Sequence, residues 1–313
     1  MAGGSRKVVF AALIGNAGIA VAKFVAAFFT GSPSTLSEAV HSVADTGNQA
    51  LLLLGMKLSV KPPTARHPFG RSREAYFWPL IVAVMLFVVG GVVAFYEGGH
   101  TIAHLAAENR AHHGSAAWSI GVLIFSLLLE SYSFSVAYRE FKKIAAGRGW
   151  LEVIREARDP TVPTVLMEDT AALVGLVLAL VGVCLSSWTG TQLFDALASL
   201  AIGAVLCGVA VLLALETHSL LIGESVTDED RNAVIAVLNA AEDVTEVREI
   251  LSMHHGPEDV ILALKLAFRR GMPVDQIEAT IDRLEARIRE RLPHMTKIFI
   301  EPDAQGGDRR TVV

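Results

Sequence analysis

Six stretches of this chain, residues 8–29, 36–57, 77–98, 116–137, 164–186 and 192–216, are apolar over lengths that can cross a bilayer. About 20 residues of helix are enough for one crossing. A chain with so many such stretches is constrained to an α-helical membrane domain. Its composition agrees: 52% of the 313 residues are hydrophobic and 19% charged, with a mean hydropathy of +0.46, too apolar for a soluble globular protein of this length. The breaks between stretches carry turn residues, Gly31-Ser32-Pro33, Lys61-Pro62-Pro63 and Trp188-Thr189-Gly190. Arg6 and Lys7 precede the first stretch, which runs to Phe29 without a small-residue cleavage site. That pattern reads as a retained anchor, not a signal peptide.

Charge gives the orientation. Lys61, Arg66, Arg71 and Arg73 lie between the second and third stretches, and Arg139, Lys142, Lys143, Arg148, Arg155 and Arg158 between the fourth and fifth. The alternate loops carry Arg110 alone. By the positive-inside rule both basic loops, both termini and the tail are expected in the cytoplasm. The net charge of −5, with acidic residues concentrated after Glu224, suggests no nucleic-acid partner. Cys184 and Cys207 sit in apolar segments without CxxC spacing, so they read as packing residues.

After Gly223 the composition becomes that of a small soluble domain. Thr227-Asp228-Glu229-Asp230 starts a helix with Val234, Val237 and Leu238 at helical spacing. Strand-like runs Val247–His254 and Val260–Phe268 flank the turn residues Gly256-Pro257. A second amphipathic helix, Val274 to Arg291, and a last strand, Lys297–Glu301, complete an α-β-β-α-β order. The fold class expected is therefore an α-helical membrane protein with six transmembrane helices (residues 1–222), then a small cytoplasmic α+β domain (223–303) and a disordered tail (304–313).

The second stretch contains the chemistry that stands out, in SEAVHSVADTGNQALLLL, residues 37–54. His41 and Asp45 are four residues apart and share a helix face. An imidazole and a carboxylate so placed suit zinc or a similar first-row divalent ion, whereas a satisfied polar pair is the bland alternative. Burial in a membrane favours function, because an ionisable group at a helix centre costs at least about 2.5–3.5 kcal/mol on insertion scales. In the fifth stretch Asp169 is the favoured partner; Glu168, rotated by about 100°, is a weaker candidate, and first-turn dipole compensation is the competing explanation. Glu130 heads a polar stripe with Ser131, Tyr132, Ser133 and Ser135 in the fourth stretch, suited to ion entry, proton movement or helix-to-helix bonding. Asn16, Lys23, Asn48, Gln49 and Asp195 read as bonds between helices, and Glu97 and His100 lie at a span end within reach of water. In the tail, His254, His255, Asp259, His294 and Asp303 form a possible cytoplasmic metal cluster.

The run from residues 37 to 48, followed by Arg66-His67-Pro68-Phe69-Gly70, Arg73-Glu74 and Tyr76-Phe77-Trp78, resembles the second span and following loop of the cation diffusion facilitators, the zinc-transporter family. Asp195-Ala-Leu-Ala-Ser199 and the closing IFIEP (298–302) extend the similarity over nearly the whole chain, and LMEDTAA (166–172) resembles the branch related to the ninth human zinc transporter. The resemblance implies a homodimeric, proton-coupled exporter of zinc or related divalent metals, with a four-ligand site between the second and fifth spans. The implied setting is a multi-pass protein in membrane lipid, at the inner membrane if the source is bacterial. On these positions His41 and Asp45 match the second-span pair and Asp169 the last fifth-span ligand. Val165 stands where the family usually has His or Asp, so Glu168, a water or Glu130 must supply the fourth position.

Imidazole and carboxylate bind metal when deprotonated, so metal and proton compete for one site, and His41 is the natural exchanger. Zn2+ is the expected cargo; an oxygen-rich site also suits Mn2+, Fe2+ or Co2+. The alternative is a non-transporting membrane metal sensor or regulatory partner. Without HExxH, GxSxG or paired catalytic carboxylates, an enzyme is not expected.

Overall fold

The computed structural model describes residues 2–30, 33–105, 116–145, 147, 149–155 and 157–303. Within helices, several further side chains, His41 among them, lie outside the described residues, as does the expected tail 304–313. The chain divides into two compact units, residues 1–218 and 219–313.

The first unit is helical: α1 (Ala2–Thr30), α2 (Pro33–Ser59), α3 (Glu74–Met85), a π-helical segment (Leu86–Val92), α4 (Val93–His104), α5 (Ala116–Ala145), short α6 (Trp150–Arg155), α7 (Thr161–Thr189) and α8 (Leu193–Ile222). α3, the π segment and α4 run on as one helix, Glu74–His104. Among the described residues five helices are long and apolar enough to cross a membrane: Gly4–Val25, Glu74–His104, Trp118–Ala145, Thr161–Thr189 and Leu193–Ile222. They form a helical transmembrane domain whose exposed side chains, Ile14, Val21, Leu128 and Leu215 among them, are apolar as hydrocarbon requires. α2 has the length, 27 residues or about 40 Å. It falls short of the five in apolarity because Asp45, Asn48, Gln49 and Lys57 interrupt it.

Local chemistry sets the helix ends. Asp159 accepts the backbone N–H of Thr161 (3.0 Å) and the hydroxyl of Ser5 (2.7 Å), which satisfies one free donor at the start of α7 and ties it to α1. Gly190, at φ 70°, closes α7 in the left-handed conformation that glycine adopts without steric cost. The π segment contains Gly90 and Gly91; a Cβ on Gly91 would collide with Cys207 Sγ of α8, so the glycine is what lets these helices approach. Cys207 is thus a packing residue, whereas Cys184, expected to be one, is exposed on α7.

An apolar layer of Val8, Val9 and Ala12 (α1), Leu52 (α2), Val82 (α3), Ala137, Phe141 and Ala145 (α5), Val153 (α6) and Val162, Val165 and Leu166 (α7) fills one end of the bundle. It gathers the N-terminal ends of α1 and α7 with the C-terminal parts of α2 and α5.

In the second unit, α9 (Asp228–Asn239), β1 (Val244–Gly256), β2 (Asp259–Phe268), α10 (Val274–Arg291) and β3 (Met295–Asp303) follow the expected order. Thr227 caps α9 by accepting Asp230 N–H at 3.3 Å. The sheet order is β1-β2-β3, with β1 and β2 antiparallel across the Pro257-Glu258 turn and β2 and β3 parallel across α10. Alternate residues Val260, Leu262, Leu264 and Leu266 of β2 enter the same core as Val234 and Leu238 of α9 and Leu284 and Ile288 of α10. This is the small mixed sheet that the period-2 and period-3.6 patterns require.

Candidate metal site

α2, α5 and α7 each bring polar groups into the interior of the helical unit. On α2, Asp45, Asn48, Gln49 and Leu52 follow the i, i+3, i+4, i+7 spacing of one face, with Asn48, Gln49 and Leu52 buried. His41 precedes Asp45 by four residues on the same continuous helix. On α5 the buried positions Ser126, Glu130, Ser133 and Ala137 form a second stripe. That spacing sorts the polar run read from the sequence. Glu130 and Ser133 turn inward, while Tyr132 is exposed and the Ser135 hydroxyl donates to the Tyr132 carbonyl (2.8 Å).

On α7, Glu168 and Asp169 are 6% and 1% exposed, and they lie seven and eight residues into a helix that starts at Thr161. Helix-dipole compensation falls off within the first turn and does not explain carboxylates at this depth. The two acids are treated differently. Glu168 accepts Asn48 Nδ2 at 2.9 Å on one oxygen and Gln49 Nε2 at 2.8 Å on the other, so two amides of α2 hold it. Asp169 accepts the Ser133 hydroxyl at 2.8 Å through Oδ2. Its Oδ1 is buried without a hydrogen bond, and so is Oε2 of Glu130. Glu130 is also within electrostatic reach of Asp169, Asp45 and Lys23. Buried acceptors left open in this way are where a cation gains most.

Val165, where a fourth ligand was sought, is fully buried in the apolar layer. Both oxygens of Glu168 are engaged by the α2 amides. Among the described residues no three His, Cys, Asp or Glu side chains already stand in metal-holding geometry. Asn48 and Gln49 do join helices, as their sequence context suggested, and their shared acceptor is the part that spacing could not give. Replacing Asn48 with Ala strips a donor from a buried carboxylate and is expected to cost about 1–3 kcal/mol of stability, read as a lowered unfolding midpoint in detergent; an unchanged midpoint would contradict the bond.

The cluster expected in the second unit is not assembled. Asp259 accepts from Lys297 Nζ (2.6 Å) and from the Thr296 hydroxyl, His294 Nε2 meets Asp230 Oδ2 (3.1 Å), and Asp303 lies 3.9 Å from Arg248 Nε. His254 and His255 are buried in β1. Each acid of the expected set has its own partner within the domain.

The cation efflux transmembrane domain matches residues 9–222, and the cation efflux protein cytoplasmic domain matches residues 226–305. The chain belongs to the cation efflux family. That family consists of transporters, not enzymes. The chain is 34% identical over 249 residues to the mouse protein named proton-coupled zinc antiporter SLC30A9, mitochondrial, covering 79% of this chain and 43% of that one. It is 32% identical to metal tolerance protein C4 of Arabidopsis thaliana (86% of this chain, 58% of that one) and 24% identical to the cation-efflux pump FieF of Klebsiella pneumoniae (97% and 96%). The chain thus spans under half the length of the mouse relative. Membership agrees with the resemblance read from the second and fifth apolar stretches, including the LMEDTAA run.

Proposed function

We propose that this chain exports a divalent metal ion, zinc foremost, from the cytoplasm in exchange for protons. The observation that carries the proposal is the open, buried carboxylate oxygens of Asp169 and Glu130 beside Asp45 inside a membrane domain. His41 and Asp45 of α2 and Asp169 of α7 hold the ion. Glu130 supplies the fourth position that Val165 leaves vacant, in preference to Glu168, which braces α2 against α7 through its two amide bonds. On this reading α2 is the sixth span, tolerated in spite of its polar residues because Asn48 and Gln49 face the bundle interior and Lys57 sits in the last turn. The names of the relatives support the cargo and the coupling: zinc and protons for the mouse protein, cation efflux for the bacterial one.

The mechanism follows from the ligands. Binding requires a neutral imidazole and ionised carboxylates, so a higher pH on the loading side strengthens metal binding and a lower pH on the release side weakens it. Protons entering from the acidic side displace the metal and are carried back. The apolar layer containing Val165 lies between Asp169 and the N-terminal end of α7. With both basic loops and both termini cytoplasmic, that layer closes the loading side and parts to admit metal. Residues 1–222 carry transport, and 223–303 form the cytoplasmic domain through which two copies associate. In a bacterium the setting is the inner membrane.

Vesicles containing the protein, loaded against a pH gradient with Zn2+, Co2+, Mn2+ or Fe2+ in turn, test cargo and activity together. Zn2+ and Co2+ are expected to exceed Mn2+, because a histidine nitrogen in the set favours the later metals. Equal flux of all four would remove His41 from the site, and no flux of any would favour a sensor over a transporter.

A further inference from the structure

The helix Glu74–His104 has 31 residues, about 46 Å at 1.5 Å per residue, against a hydrocarbon core of about 30 Å. Its last turns lie beyond the apolar stretch 77–98 and are expected to reach water, at the end opposite Arg71 and Arg73. His100 and His104 lie there, four residues apart and both exposed. Their rings stack with centroids 4.1 Å apart and planes 25° from parallel. His104 Nδ1 is 2.9 Å from the His100 carbonyl oxygen. A carbonyl only accepts, so Nδ1 carries the proton and the neutral ring presents Nε2 as a bare lone pair. Metal-binding histidines almost always have their other nitrogen fixed in this way. His104 is also in the last turn of α4, where the helix dipole favours positive charge, and exposed Glu97 lies one turn before His100 on the same face.

We infer that His100 and His104 form a second metal site, separate from the buried carboxylates, which takes borderline first-row divalent cations such as zinc or cobalt and not magnesium or calcium. Two imidazole nitrogens select that class, because hard cations prefer oxygen. Closing the stacked rings on one ion needs rotation about side-chain torsions alone, since the i, i+4 spacing already sets the two histidines side by side. Among the described residues no third ligand closes on the pair. On the orientation proposed above this is the face where metal leaves; the binding itself does not depend on that orientation or on transport.

Histidine modification by diethyl pyrocarbonate, read by mass spectrometry on the full chain in lipid nanodiscs, tests the site. Zn2+ is expected to protect His100 and His104 together and Mg2+ neither, and in H104Q the protection of His100 is expected to be lost. The same protection is expected in the D45N/D169N double variant, so failure of the transport reading and failure of this one remain distinguishable. Equal modification with and without Zn2+, or protection of His100 that survives in H104Q, overturns the site.

Discussion

Asp169→Asn is expected to reduce zinc flux in reconstituted vesicles by at least about 100-fold, since even partners that only orient metal ligands cost 10–100-fold when removed. The substitution keeps size and shape, and an amide oxygen can still accept the Ser133 hydroxyl that Asp169 accepts at 2.8 Å. The loss should therefore fall on flux and leave the unfolding midpoint near that of the parent. Asn48→Ala is expected to show the reverse emphasis, with stability lowered through Glu168 while Asp45 and Asp169 are left in place. A variant pair that behaved the other way round would exchange the roles assigned to the two adjacent acids of α7.

Val165→Asp carries the second large effect, and it separates the structure from the family pattern. By pattern, an acid four residues before Asp169 restores a ligand. In this chain the position is fully buried among Val8, Leu52, Phe141 and Leu166, so a carboxylate there has no partner and is expected to cost about 3 kcal/mol or more. The unfolding midpoint should drop well below that of the parent, without recovery on adding Zn2+. Parent-like stability, or rescue by the metal, would show that position 165 faces the ion.

Much of this arrangement is legible in the sequence because it depends on periodicity. Apolar runs give the helices, the alternation Val260, Leu262, Leu264 gives a half-buried strand, and Thr227 with its acidic followers gives the start of α9. The four-residue spacing of His41 and Asp45 gives a shared face. What escapes is whatever depends on which faces meet. Glu168 and Asp169 are neighbours in sequence, but one meets the amides of α2 and the other the Ser133 hydroxyl of α5, a division set by 100° of helix rotation and by two different packing partners. The tail histidines and acids illustrate the same limit in the other direction. Their composition suggested a metal cluster, whereas the pairing of β2 with β3 brings Asp259 to Lys297, and His294 meets Asp230 of α9. The close approach to α8 at Gly90-Gly91, within the π segment, is likewise a matter of which faces meet. His100 was read only as a span-end residue within reach of water; its stacking on His104 and the hydrogen bond to its carbonyl were not legible.

On the proposed reading one set of groups, Asp45, Asp169 and Glu130 with His41, binds either metal or protons. Simultaneous recording of zinc and pH inside sealed vesicles tests it most directly. An imposed pH gradient should drive zinc uphill, an imposed zinc gradient should move protons the opposite way, and Asp45→Ala should abolish both together. Zinc movement that leaves the internal pH unchanged, or coupled exchange that persists in Asp45→Ala, would contradict the account.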